Sequence, residues 1–571
     1  MRVLAGIDVG NATTEIVLAD PASTPPTPLA WDRAPTRGRK GSPGALTAAV
    51  ELLERLERRH GLRAEVVVVT PQRPVDTRTA VLTEPAPDTG RLALLGAGRP
   101  TPGGAGLGVG RPVALEADPV ADDGRDAVVL VAADPLGYRR TAALVRDWIA
   151  AGRDVAGVLL AGDEGVLVSR RIGSPVPVLD QVDTTAALSA LRVALEVAAP
   201  GRPARALTDP VRLAALLGLA PDEHPSAEAL ARSVRGLGDI AVALQERPAT
   251  PAPGGPVGWL VDAEGVRRDL VTTLASTPRE VWTSARSMSL PDAGGRLVTH
   301  SLDDLWAVDL TTLTEDAVAR PGSVRAHAIA LATLTVLDGQ ERVDPGPLVE
   351  RLSGRRVVTV ASEAAAARAG ALTTPGASPT ATVVDIGGGT VDVVRGDGSA
   401  RVLAGAGDLI TAATAELLRI VRGQAEWVKR GPSARVEGPH VLADEDGSRR
   451  FLDAPAAPGS VGWLVVPGPA GLLPFDHRLA PAEWRALRLR LKRTVLGDNV
   501  ARGAVEDVAG DVLVVGGPAG DDEVLDCVAR VLRHCVPGRG NVAGVLGHRW
   551  AVAYGLVVIA AASGERGDPI G

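Results

Sequence analysis

The sequence predicts an α/β protein in which two similar hairpins belong to one core interrupted by inserted blocks. Two stretches carry the repeat: "LAGIDVGNATTEIVLA" (4–19) and "VVDIGGGTVDVV" (383–394) each run an apolar strand into an Asp, a glycine turn, a Thr, an acidic residue and a second apolar strand. The texture changes between about 90 and 245, and 571 residues exceed what one hydrophobic core normally supports. Hydrophobic residues at 45% and charged residues at 23% give an ordinary globular balance, and aromatics at 2% leave the packing to Ala, Val and Leu.

Taken in order, residues 1–89 form the first part of the core: strands "RVLAGIDVG" and "TEIVLA", a Pro-rich turn at Pro21–Pro28, a helix near Ala45–Arg59 and the buried strand "AEVVVVT". Residues 90–245 read as an inserted small β/α domain, with the Gly-rich "TPGGAGLGVG" leading into "DAVVLVAADP", "VAGVLLAGDEGVLVSRRI" and "SPVPVLDQVD". The Pro/Gly cluster "QERPATPAPGGPVG" (245–258) closes that block as a linker. Residues 246–439 resume the core with a helix near Ala326–Leu337, the Ala-rich "ASEAAAARAGALTTPG" and the second hairpin. Residues 440–497 form a second, smaller insertion, polar and Pro-rich, ending in the helix "PAEWRALRLRLKRTV". Its Arg/Lys run reads as the solvated face of an amphipathic helix, with a partner-binding face as the lesser reading. Residues 498–571 complete the core with "DVLVVGGPAG", a buried strand entering a glycine turn ahead of a helix, and "GHRWAVAYGLVV".

A formal net charge of −7 and only three lysines, Lys40, Lys429 and Lys492, argue against nucleic acid as a partner. Cys527 and Cys535 read as lying on one C-terminal helix and match neither a disulfide framework nor a zinc pattern, so a reducing cytoplasm is expected. No charged n-region precedes an apolar h-region, and the longest apolar run, around Ala551–Ala562, is too short to span a bilayer, so no membrane association is expected.

A triphosphate and its metal need backbone N–H groups aimed at phosphate oxygens and carboxylates near the cation. Gly10 in one hairpin, and Gly387, Gly388 and Gly389 in the other, let the backbone approach without a Cβ in the way, while Asp8 and Asp385 end the strands that enter the turns. Either stretch alone is compatible with an ordinary Gly-rich hairpin. Together, with a third glycine turn at Gly516–Gly517, they read as a clamp on phosphates from two sides. The P-loop pattern GxxxxGK[ST] is absent, and "GAGLGVG" lacks the strand-to-helix setting of a dinucleotide fingerprint.

"GIDVGNATTE", "VVDIGGGTVD" and "VLVVGGPAG", in that order, resemble the first phosphate, second phosphate and adenosine motifs of the actin, heat-shock-70 and sugar-kinase superfamily. The resemblance implies an actin-like (heat-shock-70-like) ATPase core of two subdomains that close over ATP or ADP with Mg2+. It places the nucleotide against Gly10, Asn11, Ala12 and Thr13, against Gly387, Gly388, Gly389, Thr390 and Asp392, and against Gly407, Asp408, Gly516, Gly517 and Pro518. Asp8, Asp385 and Glu363 take the catalytic places, with Glu363 of "SEAAAARAG" helping to position the attacking water. A solvent-facing Glu363 on an Ala-rich helix is the plain alternative.

Four stretches, "RPTPGGAGLGVG", "GDEGVLVSRR" with "VPVLDQVD", "GALTTPG" and "LAGAGDLIT", further resemble the large subunit of the diol/glycerol dehydratase reactivating factors. That resemblance identifies the 90–245 block with the family's swivelling domain. It implies a chaperone-like ATPase that releases damaged cobalamin from a coenzyme B12-dependent diol/glycerol dehydratase, with a small subunit in a heterotetramer of two large and two small chains. The family's metal site at the junction with the small subunit falls on Thr101, Asp163 and Asp180, hard oxygen ligands suited to Mg2+ or Ca2+. Ala365 stands where the family tends to carry a second Glu, and the 260–300 region is shorter than expected. The competing readings are a sugar or acid kinase, which leaves the 90–245 block unexplained, and an iron–sulfur activator of acyl-CoA dehydratases, which Cys527 and Cys535 suit poorly.

Overall fold

A computed structural model of the chain describes residues 2–564 except 39, 72–74, 84–88, 98–102, 122–125, 134–135, 200–203, 235–236, 248–257, 263, 277–278, 292–296, 318–323, 325–327, 337–343, 361, 505–507 and 509. Two five-stranded sheets in it share one plan. The first runs Arg356–Thr359, Val66–Val69, Leu4–Val9, Thr13–Asp20, Thr27–Pro35, and the second runs Cys535–Arg539, Gly510–Val515, Thr382–Ile386, Thr390–Val394, Ala400–Ala404. In each, three consecutive strands form an antiparallel meander, and the first of them is flanked on its other side by two parallel strands. The central strands are apolar on both faces because helices cover them, which is why "LAGIDV" and "TVVDI" read as continuous apolar runs.

The registers align one rung across each sheet. Asp8 faces Glu15, which faces Arg33; Asp385 faces Asp392, which faces Val402. Directly opposed residues share a face of the sheet, so each rung lines up its side chains.

Small residues set the helix packing. Helix Glu363–Ala371, N-capped by Ser362, crosses helix Ala551–Ala562, which is apolar all round and therefore buried. A Cβ on Gly370 would lie 1.9 Å from the Ala551 carbonyl oxygen, and one on Gly555 would lie 1.8 Å from that of Ala366. The Ala-rich stretch is thus a close helix–helix contact, and it holds Glu363 at the first turn of its helix, beside the first sheet.

Residues Ala328–Val336 are a strand, where a helix was expected. "AIALATLTV" sits between strands Leu297–Asp309 and Val75–Thr83, and Ala328–Ala332 are buried, so an unbroken apolar run here marks a covered central strand. It belongs to an antiparallel six-stranded sheet that the chain leaves after Val75–Thr83 and re-enters at Trp259–Val261. Between those points, residues 92–244 contribute a seven-stranded sheet of their own, with strand Leu92–Ala97 at one edge and Val178–Leu179 at the other. The glycines of "GAGLGVG" fall in and beside its strand Gly106–Ala114. The expected linker lies mostly outside the described residues.

The smaller insertion is a five-stranded antiparallel sheet spanning 434–476, followed by helix Pro481–Lys492. The Arg/Lys run of that helix is a solvated face only in part: Arg485 and Arg493 are exposed, but Arg488 is 0% and Lys492 1% exposed. Arg488 forms paired hydrogen bonds with Glu445 (2.7 and 2.8 Å) and Glu523 (2.9 and 2.6 Å), while Lys492 donates to Glu523 (2.6 Å) and Asp521. A charge survives burial only when so paired, and here partners from the insertion sheet and from helix Asp522–Val531 supply the counter-charges. Cys527 lies on that helix but Cys535 begins the strand Cys535–Arg539, so the two thiols are not on one helix.

Candidate functional site

Three glycine turns converge on one cavity of about 400 Å³. The first two close by the same backbone bond, Gly10 N–H to Thr13 C=O (3.0 Å) and Gly387 N–H to Thr390 C=O (2.9 Å). They meet closely: a Cβ on Gly388 would lie 3.0 Å from Ala12 Cβ and 3.3 Å from Asp408 Oδ2. Gly516 takes φ +89°, and a Cβ there would stand 2.4 Å from Asp385 Oδ1, so only glycine brings the third turn against the second. The N-terminus of helix Gly407–Leu418 completes the wall, with Gly407 and Asp408 N–H bonded to the Gly387 and Gly388 carbonyls (3.3 and 2.7 Å). Every nucleotide-contact residue expected from the sequence lines this cavity. Asn11, Thr390, Asp392, Gly389, Gly517 and Pro518 stand there with the turn residues just described.

Asp8, Asp385 and Glu363 face the same space. Burial raises the carboxyls of Asp8 and Asp385 well above the usual range. The nearby Glu363 charge adds to this for Asp8, and Asp392 then Glu363 for Asp385, with Lys40 opposing in both cases. Such a carboxylate cluster is short of positive charge. Lys40 supplies part of it, donating to Glu363 Oε2 at 2.7 Å. Burial alone would lower the Lys40 ammonium, but Glu363 and Asp8 outweigh it and hold it above its ordinary value.

Several lining residues escaped the sequence reading: Lys40, Lys429 and Lys492, with Glu15, Arg33 and Arg549. Lysine scarcity was the available signal, because all three lysines of the chain line this cavity. Lys429 donates to Gly407 C=O (2.8 Å) and Thr411 Oγ1 (2.7 Å) and pairs with Glu426 (2.8 Å), tying down the start of the 407–418 helix. Burial lowers its ammonium in spite of Glu426.

Away from this cavity, Asp163 and Asp180 lie in neighbouring loops of the seven-stranded domain, which the Gln181 N–H to Gly162 C=O bond joins. Asp180 is fully buried, and its Oδ2 accepts the Gly165 N–H (2.9 Å) at the head of helix Gly165–Ile172. Thr101, the third expected ligand, lies outside the described residues. Among the described residues no three His, Cys, Asp or Glu side chains are grouped to hold a metal ion, and no helix is long and apolar enough to cross a membrane.

The sequence model of the diol dehydratase reactivase ATPase-like domain matches residues 286–560, and that of the DD-reactivating factor swiveling domain matches residues 91–247, together about three quarters of the chain. The diol dehydratase-reactivating factor large subunit of Klebsiella michiganensis is 29% identical over 605 residues, covering 98% of each chain. The propanediol dehydratase-reactivating factor large subunit of Citrobacter freundii matches equally, at 29% over 605 residues and 98% of each. Among solved structures, a glycerol dehydratase reactivase superposes with a TM-score of 0.60 at 26% identity, over 98% of this chain and 100% of that one. A nucleotide-free diol dehydratase-reactivating factor gives 0.58 at 27%, with the same coverage. Two sheets of one plan with paired glycine turns, matches to the family's ATPase-like and swivelling domains and end-to-end similarity to these large subunits lead to one assignment: the chain belongs to the large-subunit family of the diol/glycerol dehydratase reactivating factors.

Proposed function

We propose that this chain is a slow, magnesium-dependent ATP hydrolase that reactivates a coenzyme B12-dependent diol/glycerol dehydratase by releasing its damaged cobalamin, working with a small subunit. The observation that carries this reading is the facing pair of glycine turns with the half-buried Asp8 and Asp385 behind them. The residues fit the nucleotide: a Cβ would fill the Gly388 and Gly516 approaches, and the carboxyls raised by burial and mutual repulsion are short of a cation.

Asp8 and Asp385 would hold the magnesium ion, which when bound neutralises phosphate charge. The turn amides at Gly10–Thr13 and Gly387–Thr390 bind the phosphate chain. Glu363, fixed by Lys40, orients a water for attack on the terminal phosphorus; the new P–O bond forms as the bond to the bridging oxygen breaks, giving ADP and orthophosphate. Asp163 and Asp180, with Thr101, would hold a second Mg2+ or Ca2+ at the contact with the small subunit, where a carboxylate from that subunit completes the shell. Residues 90–245 then move as a body, in an assembly of two large and two small chains.

Phosphate release with and without magnesium tests the first half of this reading. The second half is tested by mixing the chain, its small subunit, ATP and magnesium with dehydratase that carries inactivated cobalamin, then adding fresh coenzyme. Recovery of activity is the expected result. Phosphorylation of a sugar or acid without any recovery would move the assignment to a kinase.

A further inference from the structure

Two guanidiniums at the cavity take no part in the scheme above. Arg33 comes from the third strand of the first sheet and Arg549 from the turn before helix Ala551–Ala562, and both line the cavity. Among the described residues neither guanidinium makes a hydrogen bond, although Arg549 is partly buried, its side chain 28% exposed. The nearest carboxylate, Glu15, stays 4.0 Å from Arg549 Nη1. Arg549 instead lies across Gly517 of the third glycine turn, with Nη1 3.0 Å from where a Cβ would sit. Burial and the charge of Arg33 both disfavour the charged form of Arg549, so two like charges are crowded against one cavity. Glu15 offsets them incompletely, since it makes no hydrogen bond to either guanidinium.

The second sheet supplies the control. Its rung Asp385–Asp392–Val402 matches Asp8–Glu15–Arg33 position for position, with Val402 where the first sheet has Arg33. The cation is therefore not a requirement of the strand plan. Guanidinium forks match phosphate oxygens, and the exposed Arg33 and the partly buried Arg549 present theirs to the cavity with no hydrogen-bonded acceptor among the described residues.

Resting on the nucleotide reading, we propose that Arg33 and Arg549 form a phosphate clamp separate from the two hairpin turns, with Glu15 as its resting counter-ion. It takes the phosphate chain of a nucleoside di- or triphosphate, or the orthophosphate released from it.

Equilibrium calorimetry on the full chain with ATP, ADP, adenosine and orthophosphate tests this, using the parent, Arg33→Gln, Arg549→Gln, Arg549→Lys and Glu15→Gln, with the arginine variants checked for an unchanged melting transition and Glu15→Gln for an unchanged circular dichroism spectrum. A clamp on the nucleotide weakens ATP and ADP in both Gln variants by about 10- to 100-fold, as expected for lost charge-assisted bonds, with adenosine within twofold. A clamp on the leaving phosphate weakens orthophosphate alone. Arg549→Lys falls between the parent and the Gln variant because it keeps the charge and loses the fork. Glu15→Gln tightens whichever phosphate the clamp holds, a gain that a purely structural role would not produce. Phosphate affinities within twofold of the parent in both Gln variants, or an equal loss for adenosine, overturn the clamp. If the parent itself binds neither ATP nor ADP, the nucleotide reading fails, and the clamp then stands or falls on orthophosphate alone.

Discussion

The two five-stranded sheets have the same strand order and directions, yet they furnish the cavity with different chemistry. In the first, the third strand leads into the loop that carries Lys40, so a cation reaches Glu363 from that side. In the second, the third strand leads into Gly405–Asp408 and the head of a helix, whose backbone amides bond to the second turn instead of bringing a cation. The turns are also held differently. The Thr36 hydroxyl donates to Gly10 C=O (2.8 Å) and its N–H to Ala12 C=O (3.0 Å), whereas three successive carbonyls of the second turn accept amides from Gly405, Gly407 and Asp408. A shared strand plan thus fixes where the turns meet, and the connections that leave it decide the charge each half contributes.

Changes on either side test that division of labour, beginning with the largest expected effect. Arg488→Ala leaves the Glu445 and Glu523 carboxylates without their shared guanidinium and should cost about 3–5 kcal/mol of stability in chemical denaturation. The burden falls on the second half, which alone carries the 434–476 insertion against its pocket wall. Asp8→Asn and Asp385→Asn should each lower phosphate release by ~10²–10³-fold. Parent-like turnover in one of the two would break the equivalence of the halves.

Glu15 provides a pH test specific to the first half. Its carboxyl sits at about 7 in the folded chain against an ordinary 4.5, with Arg549 and Arg33 opposing the effect of burial. Between those values the folded state keeps a proton that the unfolded state releases, so stability is present below 4.5 and lost as pH rises to about 7. Relative to Glu15→Gln, the unliganded parent should lose roughly 3 kcal/mol across that window, read from paired melts at several pH values. A constant difference between the two proteins would show that Glu15 is solvated. Thr36→Val, the mildest change, removes one bond to the first turn and should cost about 1 kcal/mol, seen as a few-fold rise in the ATP KM.

The cavity was legible in the sequence where its chemistry is local. An Asp ending a strand, a glycine turn and a Thr within a few residues define each hairpin, and every nucleotide contact expected from them reached the cavity. What failed to read was set by distance along the chain. Whether Arg488 and Lys492 are solvated depends on Glu445, Asp521 and Glu523, about thirty to forty residues away, and helical periodicity carries no trace of those partners. Ala328–Val336 has the apolar density of a buried helix, and only its neighbours on both sides make it a central strand. Lys40 and Arg549 sit in irregular segments that no periodicity marks, and the fold alone brings them to the carboxylates.

The distribution of lysines has a practical consequence for chemical labelling. With fifty-eight arginines and three lysines in the chain, side-chain amines occur only at the walls of one cavity, at Lys40, Lys429 and Lys492. Their side chains are 18%, 13% and 2% exposed. Amine-directed acylating reagents and crosslinkers will therefore report on the opening of this cleft and leave the outer surface of the chain unmarked, apart from the chain terminus. Crosslinks meant to map a partner will need carboxylate- or arginine-directed chemistry, while slow acylation at Lys40 becomes a direct measure of how often the cleft gapes.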